Sequence, residues 1–104
     1  MNDGFHVELD GDRGARLSGE LDLSSYEEAE RILTPLFAAE DDVTLDVSRL
    51  TFMDSSGIRL IIQLRQALPG DRRLILRSAT PQVARVADIA GLADLGITIE
   101  AASA

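Results

Sequence analysis

Three observations predict an α/β fold with a small, mixed, mostly parallel sheet and helices packed on it. Two short runs of alternating polar and apolar residues open the chain. Strand-period and helix-period segments then alternate to the end, and a helix-start signal precedes each helical run. The predicted order is β-β-α-β-α-β-α-β. Strands separated by helices need crossover connections, so everything after the opening pair is expected to run parallel. The 104 residues suffice for one compact domain and are too few for two. The core is expected over residues 5–99, with a frayed tail at 101–104.

Phe5, Val7 and Leu9 alternate with His6, Glu8 and Asp10, and Gly11-Asp12-Arg13-Gly14 reads as a turn. Ala15, Leu17, Gly19 and Leu21 then alternate with Arg16, Ser18 and Glu20, which completes a hairpin. His6 falls on the polar face, where a solvated side chain is expected rather than a ligand. Ser24 and Ser25 stand three residues before Glu27 and Glu28, a capping-box pattern in either register. The helix it opens carries Ala29, Ile32, Leu33, Leu36 and Phe37 on one face. Pro35 has no N–H for the Arg31 carbonyl, so a kink or an early end is expected there. Glu40-Asp41-Asp42 reads as a solvated loop.

Val43, Leu45 and Val47 alternate with Thr44 and Asp46 to give a third strand, which leads through Ser48-Arg49-Leu50 toward the next helix. On that helix Arg59, Gln63 and Gln66 form a narrow polar stripe, while Ile58, Leu60, Ile61, Ile62, Leu64, Ala67 and Leu68 cover much of the rest. So broad an apolar arc exceeds what one sheet face needs: either another helix covers the excess or part of it is left for a partner. Pro69-Gly70-Asp71 stops the helix. Leu74, Ile75 and Leu76 form a continuous apolar strand of the kind buried on both faces. Thr80-Pro81 supplies an N-cap followed by proline at the first helical position. Val83, Val86, Ala87 and Ala90 share a face of that helix, and Gly91 closes it. Ile97-Thr98-Ile99 is the last strand.

Composition excludes several function classes. The formal charge is −8 and the pI near 4.4, with no basic cluster, which argues against nucleic acid and against anionic membrane surfaces. No apolar run reaches membrane-spanning length, and Met1-Asn2-Asp3-Gly4 has neither a basic start nor an apolar signal core, so a soluble cytoplasmic protein is expected. The absence of cysteine excludes disulfides, zinc–thiolate sites and thiol nucleophiles. There is one histidine, and all ten basic residues are arginine, which removes Schiff-base chemistry and a phosphate-loop lysine. Neither metal nor cofactor is expected.

The chain is organised around Thr51-Phe52-Met53-Asp54-Ser55-Ser56-Gly57-Ile58, between the third strand and the second helix. In parallel sheets the loops at strand carboxyl ends gather on one edge, where ligands and partners dock. Asp54, Ser55 and Ser56 are all suitable N-cap residues. Local chemistry leaves two readings open. The stretch caps a helix, or it also presents a serine for phosphate, whose oxygens the free first-turn amides would help to satisfy. Catalysis has little raw material: Ser55 lacks a base other than His6, Gly-x-Ser-x-Gly is absent, a receiver-type Asp54 would need a lysine, and no nucleotide-binding glycine fingerprint occurs.

Phe52-Met53-Asp54-Ser55-Ser56-Gly57-Ile58, preceded by Ser18-Gly19-Glu20-Leu21-Asp22 and followed by Arg85-Val86-Ala87-Asp88-Ile89-Ala90-Gly91-Leu92, resembles the STAS domain. More closely it is similar to the bacterial anti-sigma factor antagonists that switch partners in sporulation and stress control. The resemblance runs from about Phe5 to Ile99 and tips the balance toward a modified serine. It implies the STAS fold and a regulatory protein rather than an enzyme. It implies phosphorylation of the serine after the aspartate, Ser55 (Ser56 as alternative), by an ATP-dependent serine kinase that doubles as the anti-sigma factor. The unphosphorylated form would bind that kinase and free a sigma factor, the phosphorylated form would let go, and a PP2C-type phosphatase would restore it. Asp22, Asp54, Ser55, Ser56, Gly57, Ile58 and Arg59 form the expected docking surface of a protein that is a monomer when free. A constitutive STAS adaptor subunit of a lipid-transport or sensory complex is the alternative. Two departures bear on partner choice. Relatives extend into a further helix, whereas this sequence stops at Ala104, and Arg59 stands where many relatives carry a small residue.

Overall fold

The computed structural model describes residues 4–11, 14–38 and 41–102. Residues 12–13 of the first turn, Glu40 of the acidic loop, the first three residues and residues 103–104 of the expected tail lie outside that set.

β1 (Phe5–Leu9) and β2 (Gly14–Leu21) form the antiparallel hairpin, with Phe5 opposite Gly19 and Leu9 opposite Ala15. β3 (Val43–Met53), β4 (Leu74–Ala79) and β5 (Ile97–Ala101) then join in turn, each parallel to the strand before it. The spatial order is the chain order, β1-β2-β3-β4-β5. The crossovers contain α1 (Tyr26–Leu33), α2 (Ser55–Ala67) and α3 (Pro81–Ile89). Such crossovers are right-handed almost without exception. Three in succession that advance the same way therefore put all three helices on one face of the sheet.

Burial along the strands bears this out. Val43, Leu45 and Val47, Leu74 and Leu76, and Ile97 belong to the core under the helices, with Phe5, Leu17, Leu33, Phe37 and Leu60. The alternate positions form the helix-free face. There Glu8, Arg16, Asp46, Arg77 and Glu100 lie side by side, one from each strand, with alternating sign. Arg16 reaches Glu8 at 3.4 Å and Asp46 at 3.5 Å, and Arg77 reaches Glu100 at 3.6 Å. An alternating row of this kind satisfies its own charges and lets one sheet face meet water. Ile75 lies on this polar face; it is buried but takes no part in the core cluster, so β4 has a helix over only one of its sides.

Other expectations are modified. β3 runs six residues beyond Val47, to Met53, because two bulges against β2 absorb extra residues, one between Asp46 and Arg49 and one between Leu50 and Phe52. The capping box does not form. Ser25, at the N-cap of α1, makes no side-chain cap bond; its hydroxyl donates to the Glu20 carbonyl at 2.9 Å and accepts from the Asp22 amide at 3.0 Å. Pro35 ends α1 at Leu33 and the chain continues as a 3-10 turn, Thr34–Ala38, that buries Leu36 and Phe37. Asp42 is not simply solvated: it accepts the Arg73 amide at 2.8 Å and the guanidinium at 3.4 Å, and the amide bond foremost holds its carboxyl below the usual range. Ala101 and Ala102, expected in a frayed tail, are ordered instead: Ala101 pairs with Ala79, and the Ala102 amide donates to the Ala79 carbonyl at 2.9 Å. Gly91 closes α3 in the left-handed region, and Pro81 opens it, as expected. No helix among the described residues is long and apolar enough to cross a membrane.

Candidate phosphorylation and docking site

β2 and β3 are parallel and end together, Leu21 opposite Met53, so the segments that follow them, beginning at Asp22 and Asp54, start from one sheet edge. Asp54 is the N-cap of α2. Its Oδ1 accepts the Ser56 amide at 2.9 Å and the Gly57 amide at 3.4 Å, and its carbonyl accepts the first helical bond, from Ile58, at 3.0 Å. Of the three candidate caps the fold uses this one, because only Asp54 keeps an extended backbone while the next residue is already helical. Its carboxylate also occupies two first-turn amides, which are therefore not open to a phosphate on Ser55.

Gly57 is the tight point of the site. A Cβ there would lie 2.5 Å from Met53 Cγ and 2.9 Å from the Leu21 carbonyl oxygen, so the first turn of α2 rests directly on the ends of β2 and β3. Ser55, by contrast, is exposed, and Ser56 is half-buried. With Gly57, Leu60, Ile61 and Leu64 buried, Ser55 sits on the outer crest of α2. Wound at about 100° per residue, Arg59 lies roughly 40° round from Ser55 on one side, and Ile62 and Ile58 about 20° and 60° on the other.

The two flanks differ in chemistry. Toward α3, Ser55 and Ile58 form a shallow groove of about 240 Å³ with Val86, Ile89 and Ala90. Ile89 is 76% exposed, and Phe52 is open beside the loop. The excess apolar arc of α2 is thus only partly covered, and the remainder faces solvent next to Ser55. Toward α1, Arg59 stands over the Tyr26 ring, 5.6 Å from its centroid, in a cleft also lined by Leu23, Ser24, Glu27 and Glu30. Tyr26 donates to Gln63 at 2.5 Å, and Gln63 in turn donates to Glu30.

Asp22 organises the turn into α1. Its Oδ1 accepts the Ser24 amide at 3.0 Å, the Ser24 hydroxyl at 2.7 Å and the Ser25 amide at 3.3 Å. The Ser24 hydroxyl foremost lowers its carboxyl from the usual range. The residue thus has the structural duty of a helix-start residue while remaining half-exposed at the same edge as Asp54.

Sequence reasoning found α3 but missed the support that its first turn gives to the end of β3. Gln82 donates to the Met53 carbonyl at 3.3 Å and accepts the Met53 amide at 3.2 Å, and Thr80 donates to the Leu50 carbonyl at 3.1 Å. The β3–β4 ladder stops at Asp46–Arg77, so these two side chains act as the missing strand for the far end of β3 and fix the loop before Ser55. The only signal in the sequence was a polar residue directly after Thr80-Pro81, which any helix start would tolerate. Gln82→Ala is expected to lower stability by about 1–3 kcal/mol, the cost of stranding both Met53 groups, read as a lower urea midpoint at unchanged slope.

Among the described residues no group of histidine, cysteine, aspartate or glutamate side chains has the arrangement to hold a metal. The STAS domain family model matches residues 6–103. Over 82 residues the chain is 32% identical to an anti-sigma-B factor antagonist of Staphylococcus epidermidis, a match covering 77% of this chain and 76% of that protein. The fold is similar to that of the anti-sigma factor antagonist SpoIIAA in its unphosphorylated form, with 26% identity and a TM-score of 0.70 over 91% of this chain and 86% of that one. It is also similar to the Bacillus cell fate determinant SpoIIAA in the phosphorylated form, with 25% identity and a TM-score of 0.64 over 91% and 89% of the two chains.

Proposed function

The chain belongs to the STAS domain family, and from that premise we propose that it is an anti-sigma factor antagonist switched by phosphate on Ser55. The unphosphorylated form binds an anti-sigma factor that is also a serine kinase and so frees a sigma factor. Phosphorylation ends the complex, and a PP2C-type phosphatase restores it. The observation that carries the reading is the place of Ser55: exposed, directly after the capping Asp54, on the crest between an apolar groove and a cleft that both offer surface to a partner. Ser56 is the weaker acceptor because it is half-buried. That this fold is similar to SpoIIAA in its unphosphorylated form and to SpoIIAA in its phosphorylated form supports a modification that leaves the domain folded.

The docking surface is Asp22, Asp54, Ser55, Ser56, Ile58 and Arg59, extended to Val86 and Ile89; Gly57, expected in it, is buried and seats the turn on the strand ends instead. An added phosphate of about −1.5 to −2 charge is tolerated in water at this crest. Pressed under a partner beside Asp54 it adds repulsion and a desolvation cost that the complex does not survive. The protein acts by binding, as a single cytoplasmic domain.

A phosphosite map of the protein from its own host, growing and starved, tests this. Phosphate at Ser55 that changes between the two states is the expected result. Phosphate at Ser56 keeps the switch and moves its residue. An unmodified protein that travels in both states with a larger assembly replaces the switch by a constitutive adaptor.

A further inference from the structure

Ser55 and Arg59 are separated by four positions on α2, which makes them surface neighbours with Cβ atoms about 5–6 Å apart. Arg59 is exposed, and among the described residues no carboxylate lies within the 4.0 Å of an ion pair to it. Its recorded partner is the Tyr26 ring, 5.6 Å away. Of the two acids that share its cleft, Glu30 accepts a hydrogen bond from Gln63 and Glu27 makes no ion pair with it. An exposed guanidinium over a half-buried ring is lightly held, whereas the same fork meets a phosphate with two charge-assisted bonds.

The surroundings of Ser55 favour a cation over the helix amides as the partner of a phosphate. Helix amides would ordinarily receive the phosphate, but Asp54 Oδ1 already takes those of Ser56 and Gly57, and its charge opposes a second anion beside it. On the first two turns of α2, through Ile62, the cation is Arg59; Arg85, exposed on α3 next to the groove residue Val86, is the comparison.

We propose that Arg59 is the internal ligand of a phosphate on Ser55 and that it leaves the Tyr26 ring to bind it. Modification then alters two patches at once. It adds charge at the crest, and it strips the cleft lined by Leu23, Tyr26, Glu27 and Glu30 of its one positive wall. The proposal rests on Ser55 being the modified residue.

The test uses the full chain with phosphoserine placed at position 55 by genetic code expansion, so it requires no kinase. A failure of natural phosphorylation and a failure of the Arg59 contact are therefore separate results. Two readouts apply. One is the second ionisation of the phosphoserine, followed by phosphorus NMR. The other is tyrosine fluorescence, which reports Tyr26 alone because the chain has one tyrosine and no tryptophan. The phosphoserine is expected to ionise about half a pH unit lower with Arg59 present than in Arg59→Gln, and Arg85→Gln is expected to match the unsubstituted chain. Tyr26 emission is expected to change on phosphorylation and to stay constant in Arg59→Gln. Equal ionisation in the presence and absence of Arg59, a shift that follows Arg85→Gln instead, or emission indifferent to the phosphate each overturns the proposal.

Discussion

Ser55→Asp is expected to leave the fold intact and to weaken the complex with the proposed anti-sigma partner by about 100-fold or more. The first half follows from place. Ser55 is the first helical residue of α2 and exposed, so a carboxylate there stays in water and sits at the favourable, positive end of the helix. Part of that benefit is lost, because the Asp54 carboxylate already caps the same turn. The thermal midpoint should therefore hardly move. The second half follows from burial under the partner. There the new charge loses its water next to Asp54, and an unpaired charge in an interface costs about 3 kcal/mol, a little over two decades in affinity. Calorimetry on Ser55→Asp, Ser55→Ala and the unsubstituted chain separates charge from shape, since alanine removes the hydroxyl without adding an anion. Equal affinity for all three would sink the switch.

Gly19→Ala is expected to be the most damaging small substitution in the chain. Gly19 has φ of +92°, and a Cβ on it would lie 1.3 Å from the Gly4 carbonyl oxygen and 2.3 Å from its carbon. Backbone, not a movable side chain, fills that space. The Gly4 carbonyl also accepts the Glu20 amide at 2.8 Å, so it cannot withdraw without breaking the edge of the sheet. β1 would have to leave β2, and Phe5, now 1% exposed, would lose its place in the core. That is comparable to deleting a buried phenylalanine, about 3 kcal/mol or more, and lowers the melting temperature of a domain of this size by about 12 °C or more. Val7→Ala, on the same strand at a half-buried position, is the control and should cost much less. A mild effect of Gly19→Ala would mean that the approach of Gly4 to Gly19 is not as close as described.

Much of this was legible in the chain because the causes are local. Alternation of Phe5, Val7 and Leu9 with polar residues is a two-residue pattern, and it made a strand. Pro35, Pro69-Gly70 and Gly91 act on the backbone within one turn, and each ended its helix close to where it was expected. Asp54 before an apolar helical run was recognisable as a cap for the same reason. The capping box at Ser25 failed although its spacing was correct. The Ser25 hydroxyl found the Glu20 carbonyl and the Asp22 amide instead, a competition between bonds of similar strength that spacing alone does not decide.

Periodicity and capping by themselves determined the element order, a start of α2 within the Asp54-Ser55-Ser56 stretch and the exposure of a serine at a strand-end loop. Tertiary structure decided the rest, because it depends on residues far apart in the chain. Gln82 holds Met53 across 29 positions, and Tyr26 reaches Gln63 across 37. The apolar arc of α2 could be counted from the sequence, but whether a neighbour covers it depends on where α3 comes to rest. α3 comes to rest so that Ile58 is only half-buried and Ile89 is exposed beside Ser55. The polar face of the sheet was settled in the same way. Three crossovers of one hand sent every helix to the other side, so Ile75 is flanked by a row of paired charges rather than by a second layer.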